Sequence, residues 1–205
     1  MKAFIVYTPD IKEMAEECRD RVLRFTNIKA VELLAADTRF AAHRMKLEAW
    51  QWFGGPTWLV DADLWFLQSC ILPVPDGLVI FGNPDNSPIN KERYWGTVVE
   101  IGHAINTSLV GADCGNERMQ EAVKESMLLQ ADRYGENPVA DEKFFNEAIS
   151  KQPLVIARLS TRFNWCGINP PARTFAVHAA SQSNKLQWLR ESVQNHERNT
   201  TAPDP

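Results

Sequence analysis

Between Trp58 and Phe66 the chain reads Trp-Leu-Val-Asp-Ala-Asp-Leu-Trp-Phe, an apolar run broken only by Asp61 and Asp63. A run this short fits a buried strand. Two ionised carboxylates cannot sink into such surroundings without a counter-charge or a bound cation. The pair is therefore expected where a strand reaches the edge of its sheet, in a crevice. Two hard oxygen ligands suit Mg²⁺ or Mn²⁺, ions that usually also hold substrate phosphates. The plainer alternative is a turn between two strands with solvated aspartates.

Around this run, strands and helices alternate. Ala3 to Tyr7 reads as a strand. Thr8 and Pro9 then open a helix, on which Ile11, Met14, Ala15, Cys18, Val22 and Phe25 share one face. Ala30 to Leu34 is a second strand. A helix follows from Arg39 to Phe53, stopped by Gly54-Gly55-Pro56. Further strands are expected at 77–81, 104–110, 154–159 and 174–178, and helices at 117–134, 141–150 and 182–196. The stretch 83–90, rich in Pro, Asn and Asp, reads as a loop. The order predicts a single α/β/α sandwich over residues 1–197 with a mixed, mostly parallel sheet, and a disordered tail over 198–205. Such sheets bind ligands at the carboxyl ends of their strands. Tyr7, Asp37, Asp61 and His178 all fall near such ends.

Composition narrows the partners. The 205 residues are 44% hydrophobic and carry a net charge of −4. No basic surplus points to nucleic acid, so no nucleic-acid partner is expected. No stretch approaches the roughly 20 apolar residues of a membrane span. A soluble cytoplasmic protein is the expectation. Cys18, Cys70, Cys114 and Cys166 form no CxxC pair and are expected as free, mostly buried thiols. No GxGxxG or P-loop sequence occurs. Of the seven tryptophans, Trp50, Trp52, Trp58 and Trp65 read as core. Trp95, Trp165 and Trp188 lie in or near loops, where a ring can stack on a ligand.

Four more segments complete a pattern: Met45-Lys46-Leu47-Glu48-Ala49-Trp50, Ile105-Asn106-Thr107-Ser108-Leu109-Val110, Asp141-Glu142-Lys143-Phe144-Phe145-Asn146, and Val177-His178 through Lys185, with Trp188 just beyond. With Asp-Ala-Asp between the first and second, their order and spacing resemble the retaining glycosyltransferases of the GT-A fold, most closely the glycogenin-like family 8. The likeness runs from Ala3 to about Arg190. It departs at Thr107-Ser108, where the family has a small-Gly pair, and at Glu142, where Gln is usual. The His178-to-Lys185 spacing is one residue longer. The glycine between them is replaced by Ala180 or Ser181, and the Pro before Trp188 is missing.

The resemblance implies a metal-dependent transfer of a sugar from a nucleotide-sugar, most simply a UDP-sugar, to a saccharide or other hydroxyl acceptor with retention. Asp61, Asp63 and His178 would ligate Mn²⁺ or Mg²⁺. Lys185 would reach the diphosphate, and Lys46 and Ala62 would border the donor. Tyr7 and Thr8 would meet the base, Asp37 the ribose. Asp141 and Asn106 would serve the catalytic step. Each has a plainer alternative: His178 as a core histidine, Lys46 and Lys185 as solvated helix charges, Asp141 as a helix cap. Three other functions stay open. They are an inverting GT-A transferase using Asp141 or Glu100 as base, a sugar nucleotidyltransferase, and a non-catalytic nucleotide-sugar binder.

Overall fold

In the computed structural model, residues 1–84, 104–133, 140–180 and 182–201 are described. Trp95, Glu100, Ser181 and most of the expected 83–90 loop lie outside them. The strands are β1 (Lys2–Tyr7), β2 (Ala30–Ala35), β3 (Pro56–Val60), β4 (Leu64–Phe66), β5 (Val79–Pro84), β6 (Ile105–Asp113), β7 (Val155–Arg158) and β8 (Ala176–His178). The helices are α1 (Lys12–Phe25), α2 (Arg39–Ala49), α3 (Glu117–Arg133), α4 (Ala140–Ser150) and α5 (Lys185–Thr201).

Six strands form one sheet in the order β2-β1-β3-β6-β5-β7. β1 pairs in parallel with β2 and β3, and β5 with β7. β6 alone runs against both its neighbours. The sheet is mixed and mostly parallel, as expected. The reversal of β6 was not visible in the sequence, because an apolar run reads the same whichever way the strand points.

β1 shows why the sheet is covered on both faces. Ala3 and Ile5 join one buried cluster, and Phe4 and Val6 join the other. Alternate side chains of a strand point to opposite faces. A strand apolar at every position must therefore be packed on both sides. α1 covers the first face through Met14, Ala15, Cys18 and Val22, joined by Leu189 of α5. α2, α3 and α4 cover the second through Leu47, Met119, Ala122, Val123, Phe145 and Ala148. The backbones of β3 and β6 close tightly around one ring. Trp58 lies opposite Gly111, and a Cβ there would stand 2.6 Å from the indole.

Three expectations are corrected. α2 ends at Ala49, not Phe53. The next residues turn more tightly, with Gln51 N bonded to Glu48 O and Trp52 N to Ala49 O. That drops Trp50 and Phe53 onto Phe4, with ring centroids 5.1 and 5.2 Å away. Trp52 is thereby left 54% exposed instead of joining the core. Gly55, at φ 70°, makes the turn into β3. The closing helix runs past residue 196, so residues 198–201 of the expected tail are helical. Asn199 donates to Pro170 O at 3.1 Å and Thr201 to Glu197 O at 2.9 Å, which ties down the last turn.

The third correction concerns the Asp-Ala-Asp run. It is two strands, not one. β3 ends at Val60 in the large sheet, and β4 leaves it to pair with β8 in a separate two-stranded sheet, Leu64 opposite His178. Asp61 and Asp63 lie in the turn between them. Asp61 N bonds to Ser108 O at 2.8 Å, Leu64 N to Asp61 O at 3.0 Å, and Ala179 N to Asp63 O at 3.0 Å. Cys18, buried in α1, donates to Leu64 O from beneath. The acids occupy a turn but are not solvated: Asp63 is 8% exposed.

Candidate metal and diphosphate site

The turn opens into a cavity of about 720 Å³ at the carboxyl end of β1 and β3. Tyr7, Thr8, Asp37, Lys46, Asp61, Ala62, Asp63, Asn106, Asp141, His178 and Lys185 all line it. The structure therefore brings these eleven candidates together in one cavity. Trp165 and Trp188 are not among the lining residues. Trp165 bridges Val177 from the chain before β8, and Trp188 packs against the core.

One oxygen or nitrogen from each of Asp61, Asp63 and His178 falls within 4.8 Å of the others. The β4–β8 register places His178 against the turn. His178 Nε2 lies 3.4 Å from Asp63 Oδ1, and its Nδ1 donates to Asn164 Oδ1 at 2.9 Å. A ligating histidine needs its second nitrogen tied in this way, which fixes the ring so that the first can coordinate once it gives up its proton. Burial pulls the imidazole down. Asp63, Cys166 and Asp61 outweigh that pull and lift the ring to about 10.

The protein's own cations stand on these acids. Lys185, the first residue of α5, is hydrogen-bonded to Asp63 Oδ2. Burial pushes the Asp63 carboxyl up, but His178 and Lys185 win and hold it far below the usual carboxylate range. Lys46, from α2, sits 2.7 Å from Asp61 Oδ1 and 3.5 Å from Asp141 Oδ2. One ammonium thus serves two carboxylates. Burial, together with the neighbouring Asp63, lifts Asp61 above its ordinary value despite Lys46. Lys46 itself loses charge stability to burial but regains more from Asp141 and Asp61, so its ammonium is held firmly protonated.

Asp141, 3% exposed, is the second residue of α4 and lies inside the helix, not at its cap. Its Oδ1 receives His43 Nδ1 at 2.6 Å, and its Oδ2 lies 3.4 Å from Thr107 Oγ1. Burial opposes the charge, yet Lys46 and His43 keep the carboxyl well below its normal range. Asn106 donates to Glu142 Oε2 at 3.1 Å, and Thr107 N donates to the same oxygen at 3.2 Å. The Glu at this position thereby ties β6 to α4.

His43, Asn164, Thr107 and Glu142 are polar partners of the site that the sequence reading did not select as site residues. His43 carried one usable signal. It precedes Lys46 by three residues on α2, which puts the two side chains on the same helix face. Asn164 carried none, because it reaches His178 from a loop fourteen residues away.

A divalent cation fits this donor set. Two carboxylates and an imidazole converge, and the Asp61 charge is incompletely compensated by lysine alone.

No family model matches the sequence, and no curated protein matches it. Solved structures do. The galactosyltransferase LgtC, in complex with donor and acceptor sugar analogs, superposes with a TM-score of 0.67 at 10% identity, over 100% of this chain and 98% of that one. A glycosyltransferase involved in the glycosylation of the major capsid of PBCV-1 gives 0.63 at 13% identity, over 94% and 98%. Mouse xyloside xylosyltransferase 1 gives 0.52 at 12% identity, over 80% and 87%. The chain has the fold of these glycosyltransferases. Among the described residues, no helix is long and apolar enough to cross a membrane.

Proposed function

We propose that the protein is a metal-dependent glycosyltransferase that moves a sugar from a UDP-sugar to a hydroxyl acceptor with retention. The observation that carries this reading is the Asp61–Asp63–His178 cluster, flanked by Lys46 and Lys185, in the large cavity of a fold shared with glycosyltransferases.

The chemistry asks for what these residues offer. Breaking the bond between the sugar's anomeric carbon and the diphosphate leaves negative charge on the departing phosphate oxygens. Mn²⁺ or Mg²⁺ held by Asp61, Asp63 and His178 would neutralise that charge. An imidazole ligand favours Mn²⁺ over Mg²⁺. With Asp63 engaged by a cation, Lys185 would be free to meet a phosphate from the first turn of α5. The N–H groups there attract the same anion. Lys46 would keep Asp141 as its partner if Asp61 turned to a cation, and would remain beside the donor. Tyr7, Thr8 and Asp37 line the part of the cavity suited to the base and ribose. Asp141 and Asn106 border the sugar. The acceptor hydroxyl forms the new bond to the anomeric carbon and passes its proton to the leaving phosphate oxygen.

The inverting alternative asks Asp141 to act as a base. A carboxylate held far below its normal range takes up a proton poorly at neutral pH. That speaks against Asp141 as the base of an inverting reaction; Glu100, the other candidate base, lies outside the described residues. The Gly-rich first loop usual in nucleotidyltransferases has no counterpart after β1, where the chain reads Thr-Pro-Asp-Ile.

The test is UDP release from UDP-glucose and UDP-galactose with Mn²⁺, followed by NMR of the anomeric product. Metal-dependent turnover with retained configuration supports the reading. If UDP with Mn²⁺ neither raises the melting temperature nor is released from these or other UDP-sugars, the reading is wrong. Saturating ligand at roughly 100 times Kd stabilises a folded protein by about 2.7 kcal/mol, so binding is easily seen.

A further inference from the structure

His43 has no part in the scheme above, yet it makes one of the shortest polar contacts in the cavity. Its Nδ1 lies 2.6 Å from Asp141 Oδ1, with 12% of the His43 side chain and 4% of the Asp141 side chain exposed. An ionised carboxylate accepts and cannot donate, so the hydrogen of this contact sits on Nδ1. That fixes the tautomer. The other ring nitrogen, Nε2, is buried and has no hydrogen-bond partner among the described residues. A buried nitrogen left unmatched costs stability. The ring is thus held at a cost, and the gain lies on its Asp141 side.

The two oxygens of Asp141 are treated differently. Oδ1 is fully committed to His43. Oδ2 lies 3.4 Å from Thr107 Oγ1 and 3.5 Å from Lys46 Nζ, long contacts that leave its lone pairs room for a stronger partner. Without the imidazole the carboxylate could rotate about χ2 and turn either oxygen to Lys46. With it, a single orientation remains.

We propose that His43 is a positioning residue for the transfer. By holding Oδ1 it presents Oδ2 of Asp141 to the sugar of the donor, where that oxygen can accept a hydroxyl hydrogen or face positive charge developing at the anomeric carbon. This rests on the glycosyltransferase reading for the task given to Asp141. The identity of the fixing residue is a separate matter and can fail alone. Carboxylates fixed on one oxygen and free on the other are the form preorganisation takes, since a small misorientation at the reacting centre costs far more rate than affinity.

The test compares His43→Phe, which keeps a ring of similar size without a donor, with His43→Asn, whose amide N–H reaches the place of Nδ1. Both are assayed for UDP release from UDP-glucose and UDP-galactose with Mn²⁺, beside the parent and Asp141→Asn. The expected result is a fall in kcat of about tenfold or more for His43→Phe, with donor KM and UDP affinity within about twofold. His43→Asn should recover to within about threefold of the parent. In the Asp141→Asn background, His43→Phe should cost nothing further, because the carboxylate it orients is gone. If the phenylalanine variant does not fold, His43→Gln replaces it, with its amide displaced from the Nδ1 position. A kcat within twofold of the parent for His43→Phe overturns the proposal. So does equal damage from Phe and Asn, or losses at His43 and Asp141 that simply add. A parent that neither binds UDP with Mn²⁺ nor releases it overturns this proposal and the function together. A parent that turns over donor while the variants behave like it overturns this proposal alone.

Discussion

Asp61 and Asp63 are two residues apart in one turn, yet they live in opposite electrostatic company. On the β8–α5 side, Asp63 pairs directly with both His178 and Lys185, and its carboxyl is held far below the ordinary range. On the α2–α4 side, Asp61 shares Lys46 with Asp141, and its carboxyl is lifted above the ordinary range. One half of the crevice has spare positive charge, and the other is short of it. On the proposed function, an entering divalent cation would offset the deficit at Asp61 and displace the surplus at Asp63, leaving Lys185 available to a diphosphate. Cation and diphosphate are therefore expected to help each other bind.

The largest effect should come from neutralising the acids themselves. Asp61→Asn and Asp63→Asn should each weaken Mn²⁺-dependent UDP binding by more than about 100-fold, read by isothermal titration. Their effects on the metal-free protein should then diverge. Asp61→Asn removes an under-compensated buried charge and should leave the melting temperature unchanged or higher. Asp63→Asn strands His178 and Lys185 and should cost about 3 kcal/mol, the scale of breaking a buried pair from one side. From the sequence alone, loss of Asp63 would be expected to relieve carboxylate repulsion. The lysine and histidine on it reverse that expectation. Equal melting temperatures for the two variants would dissolve the contrast.

A second measurement sharpens the α2–α4 half. Asp141 has its folded value depressed by Lys46 and His43. A depressed carboxyl adds stability that is fully present above its unfolded value of about 3.9 and is lost as pH falls toward the folded value. Asp141→Asn should therefore lower denaturant stability by roughly 2 kcal/mol at pH 7. The gap between variant and parent should narrow steadily below about pH 4. A gap that stays constant in acid would mean that Asp141 stabilises by packing, not by charge.

The smallest effect belongs to Lys185, whose side chain is 37% exposed. Lys185→Ala should lower metal-free stability by less than about 1 kcal/mol, since solvent screens a pair of this exposure. It should weaken UDP binding in Mn²⁺ by about tenfold, the scale of one charge-assisted hydrogen bond. Melting curves and titration on the one variant decide both. Undiminished UDP affinity would leave Lys185 as a partner of Asp63 and nothing more.

The two halves of the crevice also differ in how far the sequence revealed them. Strands and helices were legible because short apolar runs and the one-faced pattern of α1 are local signals. The candidate residues were legible as an ordered set of motifs, and one cavity collects them. What the sequence could not carry was relational. Nothing in Leu64-Trp65-Phe66 says that β4 abandons the large sheet for β8, because the register with His178 is set by chain more than a hundred residues away. Nothing in Ile105–Asp113 says that β6 runs backwards. The pairing of Lys46 with two acids, and of Lys185 with one, depends on distances across elements. His43 was passed over because a single histidine on an amphipathic helix carries no chemistry until its partner is known.

The departure of β4 from the large sheet has a consequence for synthesis. A ribosome delivers the chain in order, and the N-terminal part folds first. Asp61 and Asp63 emerge early, while β8 and α5, which bring His178 and Lys185, follow more than a hundred residues later. Until then Asp63 has no partner from either element, and the cation ligands are two aspartates without their imidazole. On the proposed function, tight binding of a divalent ion should appear only in chains whose α5 has docked. A protein released before residue 178 could carry an intact large sheet and still give no metal-dependent response.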